Sequence, residues 1–254
     1  MVLNFEHKKN NSIILIFLVG FLISFFYAIY NSYEFDKNED GRHLMVRGDV
    51  ALIWREAESF KKDFRDNKNL FGNGIEYTRT FLPSKIVAIY SSLFNKKLYE
   101  DSKSEIIQEN GKLIYLLLQI ILYYLSLLFL YKKLFLFYDD KNISFFVVSY
   151  LALDPNIIQW HGTLWTESIF VSLQVFLIGM IIKKNKTNLF CLLLGLFLGL
   201  VFLQKTVGIL FILFVILFIF FSESHLKNFK ILNILVGFLL VLSLLGYDNF
   251  KKTG

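Results

Sequence analysis

The chain has 254 residues, 55% of them hydrophobic and 18% aromatic, with only 2 Pro, a net charge of +6 and a mean hydropathy of +0.52. Such usage excludes an ordinary soluble globular protein and places the chain among integral membrane proteins. One cysteine, Cys191, excludes an intrachain disulfide and reads as a small buried hydrophobe inside an apolar run. Four histidines without a pair at ligand spacing leave no recognisable metal site, and no cofactor or nucleic-acid partner is expected.

A spanning helix needs about 20 predominantly apolar residues, with a range of roughly 17 to 25. The first run, Ile13 to Tyr30, follows Lys8 and Lys9 and reads as a retained anchor. It is long for a signal-peptide core, and Tyr27, Tyr30 and Tyr33 are poor neighbours for a small-residue cleavage site.

The long segment that follows, Asn31 to Gly111, is close to neutral. Within it, Gly48 to Phe64 predicts an amphipathic helix, with Val50, Ile53, Trp54, Ala57, Phe60 and Phe64 at helical spacing and Glu56, Lys61 and Lys62 opposite. Arg79 to Phe94 predicts a second helix, too short to span and suited to the membrane surface or a re-entrant position.

Further spans are expected at Leu113 to Tyr131, Ile143 to about Trp160, Thr163 to Ile182, Leu189 to Leu203, Val207 to Phe221 and Ile231 to Tyr247. Asp154-Pro155 interrupts the third span, because proline removes a backbone donor. The fifth and sixth read as a tight hairpin turning at Gln204-Lys205-Thr206. The expected fold is therefore an all-α membrane protein of about seven spans. It forms a single membrane domain over 1–254: a first span at 13–30, an outer loop at 31–111 and the remaining spans at 112–254.

Orientation follows from lysine and arginine in the short loops. With the N-terminus inside, Lys8, Lys9, Lys132, Lys133, Lys141, Lys183, Lys184, Lys186, Lys227 and Lys230 lie inside, and the short outer segments before the C-terminal tail hold only Lys205. This predicts a multi-pass protein with a cytoplasmic N-terminus, of a bacterial inner membrane. The unusual polar residues then share the outer side: Asp40 and Asp49 in the long loop, Asp154, His161 and Glu167 around the fourth span, and Lys205.

These residues have structural readings beside functional ones. Asp49 precedes an apolar-periodic run and suits a helix N-cap. Glu167 in the first turn of a span is favoured by the helix dipole, although ionisable groups within spans default to function. His161 reads as a hydrogen-bonded interfacial residue, with Trp160 and Trp165 as an aromatic belt.

The order of parts resembles the N-terminal half of the GT-C class of multi-span glycosyltransferases, in the protein O-mannosyltransferase and aminoarabinose-transferase branch. Asp49, Ala51 and Ala57 match that branch's acidic outer-loop motif, with Ile53 in place of its aromatic residue and Trp54 one place later. "TESIF", Thr166 to Phe170, is similar to the Ser/Thr-Glu-x-Leu-Phe signature, preceded by a proline comparable to Pro155. "GLVFLQKTVGIL", Gly199 to Leu210, resembles a span ending in Arg-x-x-Gly, with Lys205 in the arginine position. Lysine keeps the charge and loses the bidentate fork.

The resemblance implies transfer of a sugar from a polyprenyl-phosphate carrier, the donor substrate, to a glycan, lipid or protein acceptor at the outer face, with inversion. It implies Asp49 as base, with Asp40 the alternative. Lys205, Arg79 and Lys85 would bind phosphate, and Glu167 and His161 would orient sugar or acceptor. Members of that class usually continue past the seventh span, so a truncated chain is expected. The competing expectation is a non-catalytic assembly subunit or a lipid-carrier transporter.

Overall fold

The computed structural model describes residues 2–34, 53, 56–57, 81–93, 109–163, 166–182, 186–222 and 227–253. Among these residues every regular element is helical. The helices are α1 (Val2–Glu34), α2 (Phe81–Leu93), α3 (Glu109–Tyr138), α4 (Lys141–Leu153), α5 (Pro155–His161), α6 (Thr166–Ile181), α7 (Asn188–Gln204), α8 (Ile209–Ser222) and α9 (Lys227–Thr253). A short 3-10 turn, Thr206–Gly208, precedes α8.

Two stretches, Ser12–Asn31 and Leu113–Tyr138, are long and apolar enough to cross a membrane by length and composition. The other expected spans form shorter apolar helices. Of the first expected surface helix, Ile53, Glu56 and Ala57 are described and helical, with Ile53 and Ala57 buried. The second corresponds to α2. The chain divides into two compact units, Met1–Leu52 with Phe94–Gly179, and Ile53–Leu93 with Met180–Gly254.

In the first unit, α1 buries Ile13, Phe17, Gly20, Ser24, Ala28 and Asn31, a face of three- and four-residue steps. Its other faces are equally apolar: Ile14, Leu15 and Phe26 are each at least 60% exposed. A helix apolar all round with one packed face suits a lipid-facing position. The packed face meets α3 at Tyr124, whose ring stands edge-on to Phe17 and Phe21 with centroids 6.0 and 5.8 Å away.

Between α3 and α4 the chain reverses at Asp139, which takes a left-handed backbone (φ 54°) that short polar residues tolerate. Asp140 then caps α4, accepting from the Asn142 and Ile143 backbone N–H groups at 2.6 and 3.4 Å.

The expected third span is two helices, α4 and α5, parted at Asp154. Pro155 has no N–H to bond the Leu151 carbonyl four residues back. The Asn156 N–H, which would have served Ala152, donates to Asp154 Oδ1 instead, at 2.9 Å. Two consecutive tyrosines of α3 supply the missing donors. Tyr123 Oη donates to the Leu151 carbonyl at 2.7 Å and Tyr124 Oη to the Ala152 carbonyl at 2.9 Å. Pro155 occupies the first turn of α5, where its lack of a donor costs nothing.

In the second unit, α7 ends at Lys205, whose extended backbone (φ −152°, ψ 131°) leads into the 3-10 turn and α8. Despite this sequential link, α7 packs chiefly against α9. The approach depends on glycine: a Cβ on Gly195 would overlap the Ile234 carbonyl oxygen, and one on Gly237 would overlap the Leu192 carbonyl oxygen. Phe202 and Phe238 close the same seam edge-to-face, 5.8 Å between centroids. Cys191 is fully buried in α7, as its apolar setting predicts.

Candidate functional site

The break after α4 creates the polar connection between α4 and α6. Its centre is His161, the last residue of α5 and 0% exposed. The His161 ring lies on Tyr123 of α3, centroids 4.7 Å apart at 51°. Its Nδ1 is 2.9 Å from Ser168 Oγ in the first turn of α6, and either atom can donate. Ser168 carries a further constraint, because its carbonyl accepts from Ser172 Oγ at 2.8 Å.

Burial pushes the His161 imidazole down to about 4, so it is neutral at physiological pH. A neutral imidazole of that pKa is a poor general base and a competent hydrogen-bonding group. Its Nε2 is buried without a partner among the described residues. Both amide atoms of Gln119, 2% exposed on α3, are in the same position. Each such group carries a penalty of about 1–3 kcal/mol until something bonds it.

Glu167 precedes Ser168 and is half-buried, with the Thr166 hydroxyl donating to Oε2 at 3.4 Å. The structure therefore brings His161 and Glu167 to one connection, His161 through its bond to the residue after Glu167. Asp154, at the start of the same connection, acts as the cap of α5.

The remaining expected site residues divide between two cases. Asp40, Asp49 and Arg79 lie outside the described residues. Lys85 and Lys205 belong to the second unit. Lys85 is half-buried on α2 beside Glu56, whose carboxyl is raised by burial and lowered in turn by a Ser84 hydrogen bond and by the Lys85 charge. Lys205 is half-buried at the α7–α8 joint, its backbone N–H donating to the Val201 carbonyl at 3.1 Å and its carbonyl accepting from the Gly208 N–H at 2.8 Å.

Comparison with known protein families, curated proteins and solved structures finds no match. The site is therefore read from its own residues. At this connection the sequence singles out His161 and Glu167 as candidates, and Gln119, Tyr123 and Ser168 are not among them. The available signal for Gln119 was a lone amide within the apolar run "LLLQII". Ser168 lies beside the charged Glu167, and nothing local marks Tyr123.

Proposed function

We propose that the chain is a multi-pass protein of a bacterial inner membrane, with about seven spans and a cytoplasmic N-terminus. In this reading its outer face transfers a sugar from a polyprenyl-phosphate carrier to an acceptor hydroxyl. The observation that carries it is the polar connection at His161, Ser168 and Glu167, set between apolar helices on the side that the lysine distribution assigns to the outside. The order of the acidic motif at Asp49, "TESIF" and the Lys205 segment supports the same reading as a GT-C-like glycosyltransferase.

The chemistry follows from the residue types. Asp49, or Asp40 in its place, takes the proton from the acceptor hydroxyl as its oxygen bonds the anomeric carbon. The bond from that carbon to the carrier phosphate breaks, and the anomeric centre inverts. Fixed cations stabilise the phosphate charge that develops on the departing carrier, while Glu167 and His161 orient sugar or acceptor.

The test is transfer from a panel of radiolabelled polyprenyl-phosphate hexoses in proteoliposomes. Asp49→Asn is expected to reduce turnover by a factor of about 10²–10⁴ with folding intact. An Asp49→Asn protein as active as the parent removes the base assignment. A folded parent inert with every donor sinks the enzyme reading and favours an assembly subunit. A second reading draws on the broken α4–α5 helix, since carrier transporters use discontinuous helices. Carrier movement across the bilayer without transfer would select it.

A further inference from the structure

Four buried side chains of the first unit, on α3, α5 and α6, leave hydrogen-bonding capacity open. Gln119 and Tyr123 are four residues apart on α3 and share one face. The His161 ring packs on that face at Tyr123. The Tyr123 hydroxyl is taken up by the Leu151 carbonyl, and His161 Nδ1 by Ser168. Three atoms are left over: His161 Nε2 and both ends of the Gln119 amide, all buried without a partner among the described residues.

The chemistry of these atoms selects a ligand class. An amide offers an acceptor and a donor, and a neutral imidazole nitrogen offers one or the other. Hydroxyl groups meet both needs, because each can donate and accept. The four side chains contribute no positive charge, and the ionisable groups of the same connection, Asp154 and Glu167, are acids. An anion such as phosphate is therefore disfavoured there.

We propose that Gln119 and His161, held by Tyr123 and Ser168, bind the hydroxyl groups of a neutral polyol, either a sugar ring or the glycerol headgroup of a lipid. The sugar arm shares His161 with the sugar-orienting role proposed above and rests on that reading; the lipid-glycerol arm does not.

The experiment uses the full chain, labelled with ¹⁵N-histidine, in phosphatidylcholine nanodiscs. The His161 signal is assigned by its loss in His161→Gln. Methyl β-D-glucopyranoside is titrated in one arm, and in the other phosphatidylcholine is replaced by phosphatidylglycerol. A shift of the Nε2 resonance with the glycoside assigns a sugar; a shift only with phosphatidylglycerol assigns a lipid glycerol. Gln119→Leu is expected to weaken either response by about tenfold or more. It should melt no lower than the parent, because it removes two unpaired polar atoms from a buried position. No shift in either arm, an undiminished shift in Gln119→Leu, or an equal shift with inorganic phosphate overturns the proposal. Asp49→Asn should leave the shift unchanged even where transfer is lost, which separates polyol binding from the proton-transfer step.

Discussion

Pro155 removes the donor that would have continued α4, and the Tyr123 and Tyr124 hydroxyls restore bonds to the two carbonyls left open. In an apolar surrounding an unpaired carbonyl has no water to turn to, so these hydroxyls are worth more than their size suggests. Tyr124→Phe is expected to lower stability by about 1–3 kcal/mol, measured by chemical denaturation in detergent micelles. Tyr123→Phe should cost a similar amount, and a wild-type denaturation curve for both would mean that the carbonyls find other donors. His161 makes a pH-dependent contribution of known sign. Its folded-state pKa of about 4 lies below the ordinary value of 6.5, so the unfolded chain binds the proton first as pH falls. The contribution is complete above pH 6.5 and is lost progressively down to about pH 4. The total loss over that window amounts to about 3 kcal/mol. His161→Gln is expected to flatten the pH dependence of the melting temperature there, whereas an unchanged profile would place the responsible groups elsewhere.

At the scale of elements, the α7–α9 seam depends on the absence of three side chains, at Gly195, Gly199 and Gly237. Gly195→Leu would place four carbons where the Ile234 backbone lies, and over-packing of this kind costs about 1–3 kcal/mol or more. The expected outcome is a lower melting temperature, or recovery of aggregated protein only. A Gly195→Leu protein that melts with the parent would mean that α7 and α9 do not pack through this face. The helices were legible in the sequence because each apolar run is long enough to declare itself, and the interruption at Asp154-Pro155 because proline cannot donate. The choice of α9 as the partner of α7 was not legible. A tight hairpin to α8 is the natural expectation from the short Gln204-Lys205-Thr206 link, and Gly195 and Gly199 signal a close approach without naming the helix that makes it. The tyrosine caps were hidden for a related reason, since each lies 28 residues from the carbonyl that it serves. In the candidate site, His161 and Glu167 could be noticed as polar residues at the end of an apolar run. Their relation to Tyr123 and Ser168 arises only when α3, α5 and α6 are folded together.

At the scale of the whole molecule, the long apolar stretches Ser12–Asn31 and Leu113–Tyr138 and the exposed apolar faces of α1 and α8 call for a lipid surrounding. The proposed direction of insertion rests on ten lysines in the short segments assigned to the inside against Lys205 before the C-terminal tail. This asymmetry makes a prediction that needs neither a substrate nor an activity. In a Cys191→Ala background, Ser102→Cys lies in the long segment assigned to the outside and Lys184→Cys in a lysine-rich connection assigned to the inside. A membrane-impermeant maleimide applied to spheroplasts is expected to label Ser102→Cys at once and Lys184→Cys only after permeabilisation. The opposite pattern would invert the topology and remove His161 and Glu167 from the outer face, taking the sugar-transfer reading with it. Labelling of both sites on one side would remove the odd number of spans proposed for the helices α3, α4 and α6 between them. Either result would leave the hydrogen bonds at His161 in place while changing which compartment could supply a ligand to them.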